Sequence, residues 1–388
     1  MLSADLGYNF DIRFGAGRIA RLAAACAELS ITRPLLVTDR QLVDTEVVAR
    51  ALNVLRSAAL PINVFAELDS NPSVDNVSAG VAQFNRGDHD GVIAIGGGSA
   101  LDCGKAIALM HRQDAPIQDF VYGTDAWKTA DESNIAPIIG IPTTAGTGAE
   151  VEASSMITDP DKGNKLAVFH PQMLPSIIIA DPELTVGLPP QLTAATGMDV
   201  LTHALEALCV DAFHPIADGI AIEALRRVHD WLPRAYGEPH NVEARGHMLV
   251  AASMGALAFV KGLGGVHALS HPIGAIYDTH HGLTNAVLLP YVLDYNWPAI
   301  EDKLHTVACA LNLAGGNAAS VLNWILELRE TLAIPHLLSG LNIEQFDAVT
   351  IARTALTDVC APTNPRSLNE TLLRAILDAS CTGQIQNS

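Results

Sequence analysis

The spacing of apolar and polar positions changes character near residue 183 of this chain. Before that point, short apolar runs alternate with stretches of helical period. Pro34–Thr38 (PLLVT), Ile62–Phe65, Gly91–Ile95, Ile135–Ile141 and Ser176–Ala180 are too short for helices. They are also too uniformly apolar for a strand with one wet face, which is how strands covered on both sides read. Tyr8–Phe14 (YNFDIRF) alternates as a half-exposed strand does, and Ser154–Thr158 is a further strand. Helices are expected at Gly15–Cys26, Thr45–Ser57 and Val74–Arg86, and from the glycines after Ile95 to Met110, with Asn71-Pro72 marking a loop. Strands and helices in alternation predict an open, mostly parallel sheet over residues 1–183.

Beyond Asp181-Pro182 the period is helical almost throughout. Helices are expected at Thr193–Cys209, Ile216–Ala235, Asn241–Val260, Gly264–Gly274, Val287–Asn296, Ile300–Asn312, Ala318–Thr331, Ile343–Asp358 and Asn369–Cys381. The expected organisation is therefore an α/β N-terminal domain, 1–183, and an all-α C-terminal domain, 184–388. A chain of 388 residues with 49% apolar and 17% charged residues can bury a core in each.

Composition narrows the setting. No apolar run approaches the ~20 residues that span a bilayer, and the N-terminus lacks a basic-then-apolar signal pattern. The six cysteines are widely spaced with no CxxC pair, the usage of reduced thiols rather than a disulfide framework. Cytoplasmic residence is the expectation. A net charge of −19 argues against nucleic acid or an anionic membrane as partner, and leaves open an anionic small molecule held by a local cation.

Candidate chemistry concentrates in two stretches of the helical half. Gly262–Gly282 (GLGGVHALSHPIGAIYDTHHG) carries His267, His271, His280 and His281, four of the fourteen histidines. His267 and His271 share a helix face at i and i+4. Pro272, Gly274 and Gly282 predict a turn that folds His280 or His281 back over that face. In TGMDVLTHALEAL, Asp199 and His203 are again i and i+4. Alone, that pair reads equally as a helix-face ion pair; with the histidine stretch, the two read as halves of one divalent-metal site.

The α/β half offers loops. Gly96-Gly97-Gly98-Ser99 follows a strand and opens a helix, a turn that presents backbone N–H groups and the positive end of the helix dipole to a pyrophosphate. Ser99 is the expected cap; no Walker lysine accompanies it, and the alternative is a plain strand-to-helix turn. Pro142–Glu150 (PTTAGTGAE) is a second polar strand-end loop, or an ordinary threonine-rich turn. Gly15–Ala20 (GAGRIA) matches the dinucleotide fingerprint with Asp39 downstream, and matches a tight turn as well.

Taken in order, GGGSALD at 96–102, PTTAGTGAE at 142–150, GMDVLTHALEA at 197–207, HALSHPIGA at 267–275, HGLTNAVLLP at 281–290 and TNPR at 363–366 resemble the iron-dependent (group III) alcohol dehydrogenases over the whole chain. The resemblance implies metal ligation by Asp199, His203, His267 and His281. It makes His271 a non-ligand beside the nicotinamide and a proton relay. Cofactor contacts would come from Asp39, Gly97, Gly98, Ser99, Asp102, Thr143, Thr144, Thr147 and Lys165. Asp39 favours NAD over NADP, because a carboxylate accepts from a ribose hydroxyl and repels a 2′-phosphate. Gly15–Ala20 becomes a structural turn. The implied cofactors are NAD and Fe2+, with Zn2+ or another divalent ion as alternatives. The implied reaction interconverts small primary alcohols and aldehydes in a homodimer or higher homo-oligomer. Glu206 is a candidate support for the ligands, or an exposed helix acid.

Two departures bear on detail. His280 stands beside His281 as a competing ligand. Residues 258–267 are one shorter than in many relatives, which draws Lys261 toward the ligand helix, either as a solvated helix end or as the cation for an anionic substrate terminus. The rival activities are a metallohydrolase, a dehydroquinate-synthase-type lyase and a non-catalytic metal- or nucleotide-binding protein. The lyase is disfavoured because the helical half lacks a dense Lys/Arg cluster.

Overall fold

A computed structural model describes residues 10–386 apart from Asp69, Lys162 and Glu344. The chain divides into two compact units, one of Tyr8–Thr144 with Gly148–Val186, the other of Gly187–Ser388 joined by Ala145–Thr147.

The first unit is built on strands β1 (Ile12–Phe14), β2 (Pro34–Val37), β3 (Asn63–Phe65), β4 (Gly91–Gly96), β5 (Ile138–Pro142) and β8 (Ile177–Ala180), alternating with helices α1 (Leu22–Glu28), α2 (Glu46–Ser57), α3 (Val74–Arg86) and α4 (Gly98–Met110). The order is β1-β8-β5-β4-β2-β3, with every neighbouring pair parallel. Both faces are covered. Along β4, Val92 and Ala94 join Leu35, Val37, Phe65 and Ile107 in one core, while Ile93 and Ile95 join Leu36, Ile139, Ile141 and Ile179 in another. This is why these strands read as unbroken apolar runs. Residues 8 and 9 of the expected first strand lie outside the described residues.

One expected strand does not belong to the sheet. β6 (Ser154–Asp159) pairs antiparallel with β7 (Asn164–Phe169), which had no expectation, in a separate hairpin. The hairpin is fastened to α4 by Lys105, whose fully buried ammonium donates to the carbonyls of Ala149, Glu152 and Ser154 and pairs with Asp102 at 3.0 Å. Ser99 does not cap α4. Gly97 holds the N-cap position, and the Ser99 hydroxyl donates to the Ser70 carbonyl.

The second unit contains α5 (Pro190–Cys209), α6 (Pro215–Gly237), α7 (Val242–Ala258), α8 (Gly265–Tyr277), α9 (His281–Ala310), α10 (Ala318–Thr331), α11 (Ala348–Ala355) and α12 (Glu370–Thr382). Three expectations need correction. α8 runs through Pro272 to Tyr277, and the turn falls at 278–280, where Asp278 adopts the left-handed conformation (φ 51°) that closes a helix. The two helices expected at Val287–Asn296 and Ile300–Asn312 form one continuous α9, carried past Pro290 and Pro298 by a buried face from Ala286 to Leu293 and then Ile300, Leu304 and Val307. The helix expected from Ile343 begins only at Ala348, because the Asp347 carboxylate accepts from the Val349 and Thr350 N–H groups and so caps it there. Among the described residues, no single helix is long and apolar enough to cross a membrane.

α9 meets α5 at Gly282, where an added Cβ would stand 2.4 Å from the Ala195 carbonyl oxygen and 3.0 Å from the Asp199 Cβ. The obstruction is backbone and cannot swing aside. Gly282→Ala is therefore expected to destabilise the protein by about 1–3 kcal/mol through overpacking, read as a lower urea midpoint. An unchanged midpoint would contradict this account of the α5–α9 approach.

Candidate metal centre and dinucleotide loops

Helical spacing places Asp199, His203 and Glu206 on one face of α5 and His267 with His271 on one face of α8, while His281 and Asn285 lie one turn apart at the start of α9. These three helices bring donor atoms of Asp199, His203, His267 and His281 within 4.8 Å of one another. Asp199 Oδ1 is 3.8 Å from His203 Nε2 and 3.6 Å from His281 Nε2. The His203 and His267 rings stack with centroids 4.7 Å apart. Asp199, His203 and His267 are at most 4% exposed, so water does not screen them.

Neighbours fix how the rings present their nitrogens. Glu206 Oε2 lies 2.7 Å from His267 Nδ1, and its Oε1 accepts from the Val266 N–H at 2.7 Å. The carboxylate accepts a hydrogen bond from Nδ1–H and leaves the Nε2 lone pair facing the cluster. Burial opposes protonation of His267, but the hydrogen bond and charge of Glu206 outweigh it and raise its pKa. Burial drives the His203 pKa down to about 4, keeping that ring neutral and able to donate electrons. Asn285 completes the group: its Nδ2 donates to Asp199 Oδ1 at 2.8 Å and lies 3.1 Å from His281 Nε2 and 3.2 Å from His267 Nε2. Its Oδ1 and the His203 Nδ1 are buried without a partner. One hard oxygen and three borderline nitrogens facing one another, with His281 on the open side, fit a divalent iron or zinc ion.

His271 stacks on His281 (centroids 5.5 Å apart, planes 16° apart) and meets His267 edge-on. Its Nδ1 is held 2.8 Å from Asp358 Oδ2. Burial opposes the Asp358 charge, but His271 and the Cys360 N–H hold its pKa below the usual range. His280 stands apart from the four-donor group; its Nδ1 accepts from the Leu283 N–H and caps α9. The residues Thr363–Arg366 brace the other end of α8: Thr363 Oγ1 donates to the Leu263 carbonyl, and Asn364 Oδ1 accepts from the Gly265 N–H.

Lys261 has a different setting from the one expected. Its ammonium pairs with Asp218 and donates to the Leu208 carbonyl at 3.4 Å, while Lys303 donates to the carbonyls of Cys209 and Val210. Two ammonium groups thus satisfy the last carbonyls of α5, the negative end of its dipole.

In the other unit, Asp39 and Gly97 follow β2 and β4, the neighbouring strands between which the chain order reverses. That is the switch point where open α/β sheets take ligands. Gly96 (φ 153°) leaves no room for a Cβ, which would stand 2.6 Å from the Ala100 Cβ and 3.5 Å from Asp39 Oδ2. The Thr143 N–H donates to the Gly96 carbonyl, and Thr144 lies against Gly97. Asp39 Oδ1 accepts from the Gln41 and Leu42 N–H groups. Lys165 reaches back from the hairpin to Asn71 Oδ1 at 2.9 Å. Asp102 braces the hairpin: one oxygen accepts from the Met156 N–H and the other pairs with Lys105. At Gly15–Ala20 the N–H groups of Gly17 and Ile19 already bind the Asp181 carboxylate. This turn holds an internal anion.

Asn285 and Asp358 escaped the sequence reading. Asn285 sits one helical turn after His281, a spacing that could have raised it; Asp358 is far from every histidine in sequence and carried no such signal.

A parallel sheet with glycine and threonine loops at its switch point, in a chain that also builds a carboxylate–imidazole centre, defines a metal- and dinucleotide-type oxidoreductase. The description "Iron-containing alcohol dehydrogenase" matches residues 10–182, and "Fe-containing alcohol dehydrogenase family, C-terminal" matches residues 193–381. The chain belongs to the iron-containing alcohol dehydrogenase family and is an oxidoreductase. It is 36% identical to the 4-hydroxybutyrate dehydrogenase of Cupriavidus necator, over 97% of this chain and 100% of that protein. A solved 1,3-propanediol oxidoreductase superposes with a TM-score of 0.91 at 33% identity, over 97% of this chain and 100% of that one. The sulfoacetaldehyde reductase of Bifidobacterium kashiwanohense, solved with NAD+, superposes at 0.88 and 29% identity, over 99% and 100%.

Glu206→Gln removes the charge that makes His267 a strong donor, and metal affinity should fall roughly 10–100-fold in a competitive chelator titration. Unaltered affinity would mean that Glu206 does not support the ligand.

Proposed function

We propose that this enzyme is an NAD(H)-dependent dehydrogenase of small primary alcohols, reducing the matching aldehydes, with Asp199, His203, His267 and His281 holding a divalent ion, in the first instance Fe2+. The observation that carries the reading is the convergence of those four donors, three of them buried, beside an imidazole already oriented by a carboxylate. When bound, the ion supplies Lewis acidity toward the substrate oxygen, and the nicotinamide carries the hydride. The chain's own work is positioning and proton handling. Asp358 keeps the Nδ1 proton of His271 in place, which leaves Nε2 to exchange a proton with the substrate hydroxyl. The desolvated cluster strengthens every charge interaction made inside it.

For the cofactor, Gly97, Gly98 and Ser99 at the start of α4 suit the pyrophosphate, with Thr143, Thr144 and Thr147 and the Lys165 ammonium as further contacts. Asp39 leaves Oδ2 for the ribose diol, since its Oδ1 is occupied by Gln41 and Leu42. Among the three relatives, two are named for substrates with an acidic end, 4-hydroxybutyrate and sulfoacetaldehyde, and one for the neutral 1,3-propanediol. A short chain with one reacting terminus is their common feature, and we assign that class to this enzyme. The six unpaired cysteines fit a reducing cytoplasm. Among the described residues β1 is an edge strand of the sheet, and with Phe14 exposed that edge favours a homodimer.

The test is NADH oxidation across short aldehydes on protein of measured metal content. Turnover should appear with Fe2+, vanish on chelation and return on reloading. Metal-independent turnover, or none with any aldehyde, would overturn the reading. The same panel run on Lys261→Ala should change KM for succinic semialdehyde and propionaldehyde alike, together with a lower melting temperature, because Lys261 serves the end of α5. A selective rise for the acid would return the anion-reading role to Lys261. Asp39→Gly should move the NADPH/NADH preference upward by at least tenfold, on the order of 1.4 kcal/mol. A constant ratio would remove Asp39 from the ribose.

A further inference from the structure

Next to the four-donor cluster lies a second convergence that the proposed reaction uses only in part. His271, Asp358 and Cys360 each offer a donor atom within 4.8 Å of the other two. Asp358 is the centre of the group. One oxygen is 2.8 Å from His271 Nδ1, the other accepts from the Cys360 N–H at 2.9 Å, and the Cys360 Sγ lies within 4.8 Å of the same carboxylate. Cys360 is 6% exposed and His271 8%.

The backbone presets this geometry. Asp358 and Cys360 lie two residues apart in the turn after α11, and that turn is anchored by Thr363 to the Leu263 carbonyl and by Asn364 to the Gly265 N–H at the start of α8. His271 projects from α8 itself. The three donors are thus fixed with respect to one another before any ligand arrives.

The donor set differs in kind from its neighbour. Sulfur, nitrogen and oxygen from three side chains, with a fourth position left over, are the ligands of an open zinc-type site. Bond lengths of about 2.0–2.3 Å at tetrahedral angles require donor separations of roughly 3.3–3.8 Å, which the group reaches with small side-chain shifts. Without an ion the thiol is inert, because burial and the Asp358 charge push its pKa well up. A coordinated thiol is deprotonated outright, and softness then selects Zn2+ or Co2+ over Fe2+ or Mg2+.

We propose that His271, Asp358 and Cys360 form a second, thiolate-containing site for a Zn2+-class ion, and that filling it inhibits the enzyme. On loading, the thiol proton leaves to solvent, the imidazole proton moves from Nδ1 to Nε2, and the ion takes thiolate, imidazole and carboxylate. Inhibition follows because the ion removes Asp358 from His271 and occupies the ring. The binding claim is independent of the proposed function; the inhibitory consequence rests on it.

Cobalt separates the two sites, because the four-donor cluster contains no sulfur. Metal-free wild-type protein titrated with Co2+ should bind a second equivalent that brings a near-ultraviolet thiolate-to-cobalt absorption. Cys360→Ser and Cys360→Ala should each lose both the band and that equivalent. Zn2+ added to the iron-loaded enzyme should lower wild-type turnover at least roughly tenfold and that of Cys360→Ala less than about twofold, each against its own rate. Absence of the band at saturating Co2+, or a band that survives in either variant, would overturn the site. A cysteine-dependent band without zinc inhibition would overturn the regulatory consequence alone. A cysteine-dependent band in protein that turns over no aldehyde would sink the proposed function and leave this site standing.

Discussion

A carboxylate and three imidazoles that face one another, all but His281 shut away from water, repel through their lone pairs unless something positive lies among them. In this protein the Asn285 amide supplies partial positive charge to three of the four donors, Asp199, His267 and His281, and two buried polar atoms nearby have no partner. A centre of this kind is costly for the fold on its own, and a divalent ion bound among the four donors would offset that cost. Much of the helical unit serves to keep α5, α8 and α9 in register around it.

The supports act at separate points. Glu206 ties α5 to the first turn of α8 through two backbone N–H groups and the His267 ring. Asn364 and Thr363 hold the Gly262–Gly265 approach to that turn. Lys261 and Lys303 neutralise the far end of α5. Gly282 allows α9 to press against Ala195 and Asp199. Each removes a freedom that would otherwise let the donors drift apart, and catalytic constellations tolerate only a few tenths of an ångström of such drift. Asp358 works the same way on His271, and its contact with Cys360 gives that pair a second capacity for metal. In the α/β unit the equivalent economy lies in the sheet order, which sets the Asp39 carboxylate and the glycine turn on adjacent strand ends.

Much of this was legible in the chain because it is written in short periods. Strands covered on both faces leave unbroken apolar runs, and i, i+4 spacing marked Asp199 with His203 and His267 with His271. What was missed depends on contacts distant in sequence. The hairpin of β6 and β7 leaves the sheet because Lys105, forty-odd residues upstream, binds the carbonyls at its base. The turn expected at Pro272 falls at Asp278 because burial of α8 from Gly265 to Gly274 carries the helix through the proline. Local propensity also misread Ser99 as a cap, and of the two readings of Lys261 the solvated helix end is the one that its buried pairing with Asp218 replaces. The fingerprint match at Gly15–Ala20 was rightly a turn, but its occupant, Asp181, could only be found in three dimensions.

The most direct test of the centre is the iron content of His267→Ala, measured by elemental analysis beside NADH binding by fluorescence. His267 is the donor that Glu206 orients, so its loss should strip the iron while NADH affinity stays within about twofold, well under the 1.4 kcal/mol of a tenfold change. Full retention of iron by folded His267→Ala protein would contradict the assignment at its root.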